Sequence, residues 1–383
     1  MDYKIKLGIS GAILVAVILS SNPNFYLSIL SGEHISNANS INDGIDSKAD
    51  SLNMGYFPNL NHAQAIIGID NGDFNRTFSN ASSSNEFSFH PQLFSSGQSI
   101  LEALYAEKID AAYLDPDSII KGYRLLGENE FRIVSGVSSG GVSFVVRNDS
   151  GIETNKDLGG KVFATPHLGG SQDVALKKYL IDNGFNTIEN GGNVTVVNLK
   201  PVDLMSKFQN KEIDGAWVPE PIVTILKQQA DGKIFVDESD LWPNGKFVSA
   251  NIIVRIDYLR ENPDIIKKLI ETHVNETLWM NQMFSNSNST VEIDTQDKEK
   301  VASVFNNGLK NMIGKTYPVN LLIDAMSRIE YTPNPLPNSL LKISEDAETL
   351  GYITKGLYWN DEFLKIYDLT ILNKVLEAKG LKH

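Results

Sequence analysis

The sequence predicts an α/β protein built as two similar lobes, and two observations carry that expectation. The first is a phrase that occurs twice: residues 107–116 run EKIDAAYLDP and residues 211–221 run KEIDGAWVPEP. Each follows a helix-like stretch, Ser99–Ala106 in one case and Asp203–Asn210 in the other. The second lies upstream of each phrase. A short apolar strand, Leu52–Phe57 or Lys161–Thr165, leads through a polar or glycine-rich loop into a helix, from about His62 or about Ser171. In open α/β sheets ligands bind outside the carboxyl ends of strands, where loops meet helix N-termini. The repeat therefore predicts both a fold and a place for a site.

The first lobe begins with the strand Leu52–Phe57 and the helix from His62. Residues 77–88 (TFSNASSSNEFS) have the composition of a surface loop, and the apolar run Phe89–Leu93 follows. A helix over Gly97–Glu107 and a strand over Ala111–Leu114 close the first repeat. Residues 131–147 are two apolar runs around SSGG, a natural crossover between lobes. The second lobe takes the strand at 161–165, a helix over Ser171–Asn183, a strand over Val194–Asn198, a helix over Asp203–Asn210 and a strand over Gly215–Val218. Residues 248–255 (VSANIIVR) read as a strand and the return crossover.

The last third is helical. Pro263 opens a helix to Asn281 from the first-turn position that proline favours, and Ile265, Leu269, His273 and Leu278 recur at core-facing spacing. Leu322–Ile329 and Ile366–Leu376 carry the same period. The expected division is a leader or anchor over 1–30, a polar tether over 31–51, lobe one over 52–138 plus 250–383, and lobe two over 139–249.

Lys4 and Lys6 precede the apolar run Leu7–Leu19, the pattern of an export signal. The run is shorter than the roughly 20 residues a spanning helix needs. A second apolar scrap, Phe25–Leu30, would lengthen it into an anchor, so cleavage and anchoring both stay open. Either places the folded part outside the cytoplasm. Six Asn-x-Ser/Thr triplets, at Asn75, Asn80, Asn148, Asn193, Asn275 and Asn288, then favour a glycosylated surface.

Composition is that of a folded protein, 42% hydrophobic and 21% charged over 383 residues. A formal net charge of −13 argues against a nucleic-acid surface. There is no cysteine, which removes thiolate catalysis, disulfides, iron–sulfur clusters and cysteine-held zinc. Six dispersed histidines, with no HExxH, GxSxG or P-loop, leave no catalytic constellation, and no cofactor is expected.

Four strings together resemble a known family: GYFPNLNHAQAIIGI (55–69), KDLGGKVFATPHLGGSQDVALKKYL (156–180), EIDGAWVPEP (212–221) and ENPDIIKKLIETHVNETLWMN (261–281). They resemble the periplasmic substrate-binding proteins of nitrate/sulfonate/taurine-type ABC importers, and the wider superfamily that includes thiamine-pyrimidine binders. The resemblance covers about residues 52–380. It implies a type II periplasmic-binding-protein fold, two α/β lobes joined by a two-crossover hinge with extra C-terminal helices. It also implies a monomer that closes over a small polar or anionic solute, of the sulfonate or taurine, nitrate, bicarbonate or thiamine-pyrimidine class, and presents it to a membrane permease and its ATPase. A tethered surface sensor with the same fold is the alternative. Fungal thiamine-pyrimidine synthases are similar to the superfamily, and Asn61-His62 resembles their Asn-His pair, but their cysteine-rich motif has no counterpart here.

Candidate ligand contacts follow from the loops. Asn59 and His62 offer neutral donors and acceptors after the first strand, with Asn61 a plausible helix cap. Gln98 and Ser99 open a helix whose free N–H groups suit an anion, or serve as a cap. Asp115 ends the third strand where the family often has a small residue; a carboxylate there repels an anion and suits an amine. Ser138 lies at the expected hinge. Gly169, Gly170, Ser171 and Gln172 form the most specific set: glycines permit close backbone approach at a helix start. Asp173, in the first turn, reads as a complement to the helix dipole. Trp217 and Glu220 end the matching strand of lobe two, an aromatic wall and an acid, with inter-lobe packing the other reading for the tryptophan.

Overall fold

A computed structural model describes residues 50–79, 87–284, 295–354 and 363–381. The expected leader or anchor, the tether up to residue 49, and the triplets at Asn80 and Asn288 lie outside the described residues. Among the described residues no helix is long and apolar enough to cross a membrane. Asn75, Asn148, Asn193 and Asn275 are all exposed.

Eleven described strands form two sheets. The first holds β1 (Ser51–Tyr56), β2 (Ser88–Leu93), β3 (Ala111–Leu114), β4 (Phe131–Gly140), β10 (Val248–Arg255) and β11 (Ile329–Tyr331), in the order β11-β4-β10-β3-β1-β2. The second holds β5 (Val142–Arg147), β6 (Val162–Thr165), β7 (Thr195–Asn198), β8 (Gly215–Pro219) and β9 (Gly232–Asp237), in the order β7-β6-β8-β5-β9. Each sheet has the same parallel heart: β1 lies between β2 and β3, and β6 lies between β7 and β8. The sequence repeat is thus a repeat of topology.

The helices α1 (Ala63–Asp70), α2 (Gly97–Tyr105) and α3 (Pro116–Leu126) follow the first three strands. In the second lobe α4 (Ser171–Asp182), α5 (Pro201–Gln209) and α6 (Ile222–Gln229) follow β6, β7 and β8. The central strands are mostly buried, polar residues such as Ser135 and Asn251 included, because both sheet faces are covered. Leu52, Met54, Tyr113 and Val134 belong to the core on one face of the first sheet, and Ile100, Leu114 and Ile133 to the other. Phe144, Phe163 and Trp217 belong to one core of the second sheet, and Val145, Ala164 and Val218 to its opposite core. Burying each such side chain contributes about 1.5–3 kcal/mol.

The chain crosses between the sheets after β4 and returns into β10, which runs antiparallel to both β3 and β4. The first crossing turns on Gly140 and Gly141, both at positive φ. A Cβ on Gly141 would lie 2.5 Å from Ile329 Cγ1, so a larger residue would both strain the positive φ and push against the Ile329 side chain.

The C-terminal helices α7 (Pro263–Phe284) and α8 (Thr295–Ile313) pack on α1, and α9 (Pro337–Thr349) packs on α4. His273 of α7 is fully buried. Its Nε2 lies 2.9 Å from Gly136 O and its Nδ1 2.9 Å from the Tyr113 hydroxyl. Burial pulls its pKa down to about 4, so it is a neutral core residue. Three expectations change here. Leu278 points outward, 38% exposed, because α7 runs on to Phe284 and its buried face passes through Glu276, Thr277 and Met280. The helix expected over Leu322–Ile329 is Val319–Met326, and Ile329 instead opens β11, paired with Gly140. The one expected over Ile366–Leu376 divides into a 3-10 turn, Phe363–Ile366, and a helix, Thr370–Ala378.

Candidate functional site

A cavity of about 170 Å³ lies where the carboxyl ends of β1, β3, β6 and β8 converge, and both lobes line it. A groove of about 1030 Å³ runs beside it along α4 and α9 and shares Ala175, Glu238, Trp242 and Asp346 with it. We place the candidate site in the smaller cavity, because the loops that follow the parallel strands meet there.

The first wall grows from β1. Asn59 sits in extended backbone, and its Oδ1 accepts the His62 N–H at 3.1 Å, so Asn59 rather than Asn61 is the cap. Both asparagines line the cavity. His62 does not: it is fully buried, stacked on Phe57 with ring centroids 5.1 Å apart. Its Nδ1 accepts the Phe57 N–H at 3.0 Å, which leaves the ring proton on Nε2. That atom faces Asp115 Oδ1 at 3.6 Å, and neither atom has another hydrogen-bond partner. The expected ligand contact of His62 becomes support for Asp115 from behind.

Asp115 occupies the N-cap position of α3, yet its side chain makes no cap bond. It lines the cavity and stays one-third exposed. Two residues on, Asp117 reaches across to the second lobe. Its Oδ1 accepts from the Ser171 hydroxyl at 3.2 Å, and its Oδ2 lies 3.5 Å from His167 Nε2 and 3.4 Å from Lys121 Nζ. Burial alone would push the Asp117 carboxyl up. The hydrogen bonds and charges of His167 and Lys121 outweigh it and hold the group well below the usual carboxylate range. The hydrogen bond to Asp117 in turn raises the His167 pKa against the opposing effect of burial.

The second wall is the start of α4. Gly170 is its N-cap and supplies no side chain. A Cβ there would lie 2.2 Å from His167 Nε2, so a larger residue would push the His167 ring away from Asp117. Ser171 and Gln172 line the cavity; Gly169 and Gly170 shape the turn behind them. Asp173 is fully buried and does more than complement the helix dipole. It accepts from Thr165 Oγ1 and Gly169 N at 3.0 Å, and from Tyr352 Oη, beyond α9, at 2.6 Å.

Five other expected contacts are absent from the cavity lining. Gln98 bonds Glu102 at 3.0 Å, and Ser99 bonds Ser96, the cap of α2, so both serve the helix itself. Ser138 is buried in β4, opposite Ala250 and Tyr331. Trp217 is fully buried in the core of the second lobe, where its Nε1 donates to Glu238 Oε2 at 2.6 Å; it is neither an aromatic wall nor inter-lobe packing. Glu220 accepts from Thr224 N and Oγ1, each at 3.1 Å, and its Oε1 lies 2.8 Å from Arg328 Nε. Burial pushes its pKa up to about 7, although Thr224 and Arg328 pull it down.

Sequence reasoning missed Asp117, His167, Glu238, Trp242 and Ser249, all of which line the cavity. Asp117 is an acid in a helix first turn, a pattern that ordinarily signals dipole complementation. Glu238 and Trp242 follow β9, a strand only partly buried along its whole length. Among the described residues no cluster of three or more His, Asp or Glu side chains is set to hold a metal ion.

Residues 46–294 match the model of the NMT1-like family. The chain is 29% identical over 180 residues to a binding protein of Brucella abortus (strain 2308), which covers 47% of this chain and 53% of that protein. The chain thus spans about half the length of that relative. A Bacillus subtilis (strain 168) protein named as an aliphatic sulfonates-binding protein is 24% identical over 292 residues, 74% of this chain and 77% of its own. The crystal structure of the periplasmic nitrate-binding protein NrtA from Synechocystis PCC 6803 superposes with a TM-score of 0.66 at 13% identity, covering 86% of this chain and 89% of that one. At that identity the likeness speaks for the fold, which is the type II periplasmic-binding-protein fold.

Proposed function

We propose that this chain, which belongs to the NMT1-like family, is the extracytoplasmic solute-binding component of an ABC importer. It captures a small solute with a positive or N–H-rich end by closing its two lobes, and passes it to a permease and its ATPase. The observation that carries this reading is the cavity itself. Asn59 and Asp115 enter it from one lobe and Ser171 and Gln172 from the other, so a solute held there ties the lobes together. Binding of that kind needs no catalytic group. The names of the relatives, a sulfonates-binding protein and a nitrate-binding protein among them, support an importer role.

The charge of the walls supports the choice of solute. Asp115, Asp117 and Asp346 line the cavity together with Glu238, whose pKa burial raises to about 7, and no described Lys or Arg does; His167 is the one basic side chain on the described lining, and it lies against Asp117. A desolvated anion beside carboxylates is costly, whereas an amine or aminopyrimidine finds acceptors. The test is a calorimetric and thermal-shift panel on the full chain with nitrate, bicarbonate, methanesulfonate, taurine, thiamine and an aminopyrimidine. A solute at 100 times its dissociation constant stabilises by about 2.7 kcal/mol. A shift with an amino-bearing compound is expected. Stabilisation by nitrate or bicarbonate alone would reverse the choice of solute, and no shift from any compound would remove the importer reading's support.

A further inference from the structure

We propose that Asp117 is a specificity-determining residue: its carboxylate fills, from the first lobe, the place at the second lobe's wall where an anionic solute would bind, and so excludes such solutes. The inference rests on the reading of the cavity as a solute site and narrows the solutes it accepts.

Three observations carry it. The start of α4 faces the cavity through Ser171 and Gln172 with no side-chain cap, and the free N–H groups of a helix start favour negative charge. The Ser171 hydroxyl is directed away from its own helix, across the cleft, to Asp117 Oδ1 at 3.2 Å, while His167 Nε2 stands 3.5 Å from Oδ2. Asp117 also belongs to the opposite lobe, in the first turn of α3, and its side chain is only 11% exposed. It therefore makes the inter-lobe contacts that the oxygens of a sulfonate or nitrate would otherwise make. The depressed pKa of the group keeps it ionised while it does so. Asp115, two residues earlier on the same wall, places a second carboxylate beside any anion that arrived. An anionic solute would have to displace the first and lie against the second. A neutral or cationic solute meets neither obstacle.

The experiment is calorimetric titration of the full chain with methanesulfonate and with nitrate, in the wild type, Asp117→Asn and Asp117→Ser. Asn keeps the shape and an acceptor for Ser171 while removing the charge; Ser also vacates space. Unit charges a few ångström apart at a protein surface interact strongly enough that removing one is expected to tighten anion binding at least about tenfold. The expected result is no measurable binding of either anion to the wild type and measurable binding to at least one variant. A wild type that binds either anion as tightly as the variants overturns the proposal, whatever the variants' stability. Folded variants that gain no anion binding overturn it too. Neither outcome touches the importer reading, which fails only if no solute of any charge binds.

Discussion

The two repeated phrases end in an acid beside a proline, and the structure puts the two acids to opposite uses. After β3, Asp115 stands at the N-cap of α3, makes no cap bond, and faces the cavity. After β8, Glu220 turns inward, caps the first turn of α6 through Thr224 N, and pairs with Arg328. The aromatics two and three residues earlier differ less: Tyr113 and Trp217 are both core residues, bonded to His273 and Glu238. An internal repeat thus fixes where an acid stands but not what it does. That is decided by residues remote in sequence: Arg328 enters from the segment between the helix Val319–Met326 and β11 and pairs with Glu220 at 2.8 Å, whereas the Asp115 carboxylate meets only the His62 ring, at 3.6 Å, among the described residues.

The comparison breaks most visibly at Arg328. Arg328→Ala leaves Glu220 buried without its cation and is expected to cost about 3 kcal/mol in urea unfolding. Adding Glu220→Gln should recover much of that loss. A cost near zero for the single variant would mean that Glu220 is not held as described. Next in size is a dependence on pH. Burial raises both Glu220 and Glu238 from 4.5 to about 7. A carboxyl whose pKa rises on folding holds its proton more tightly in the native state. Its contribution to stability is therefore complete below pH 4.5 and is lost as pH climbs through about 7. Glu238→Gln should flatten that part of a plot of Tm against pH; an unaltered slope would show that Glu238 is not its source. The smallest effect is expected at the partner acid. Asp115→Asn should change stability by less than about 0.5 kcal/mol, because Asp115 makes no cap bond and an amide oxygen can still face His62 Nε2, 3.6 Å away.

How much of this was legible in the sequence depends on where each signal came from. The limits of β3 and β10 could be read directly, because apolar runs bounded by acids, prolines or arginine announce themselves. β9 and the helices α8 and α9 could not: α8 is rich in lysine and asparagine, and β9 is only half-buried along its whole length. At the candidate site, the strand–loop–helix grammar pointed to Asn59, Asp115, Ser171 and Gln172, which line the cavity. It also led to Gln98, Ser99, Trp217 and Glu220, whose polar groups are taken by caps, a core acid and an arginine. Those partners are set by tertiary packing, and no local pattern reports them. Asp117 and His167 were passed over for the same reason, since each matters only because the other lobe stands opposite.

The most direct test of the central claim is calorimetric titration of the wild type and Asp115→Asn with one amino-bearing solute identified by the panel. The account predicts that the variant, equally stable, binds at least about tenfold more weakly, because a charge-assisted hydrogen bond is lost. Equal affinity in the two proteins would contradict it and remove Asp115 from the site.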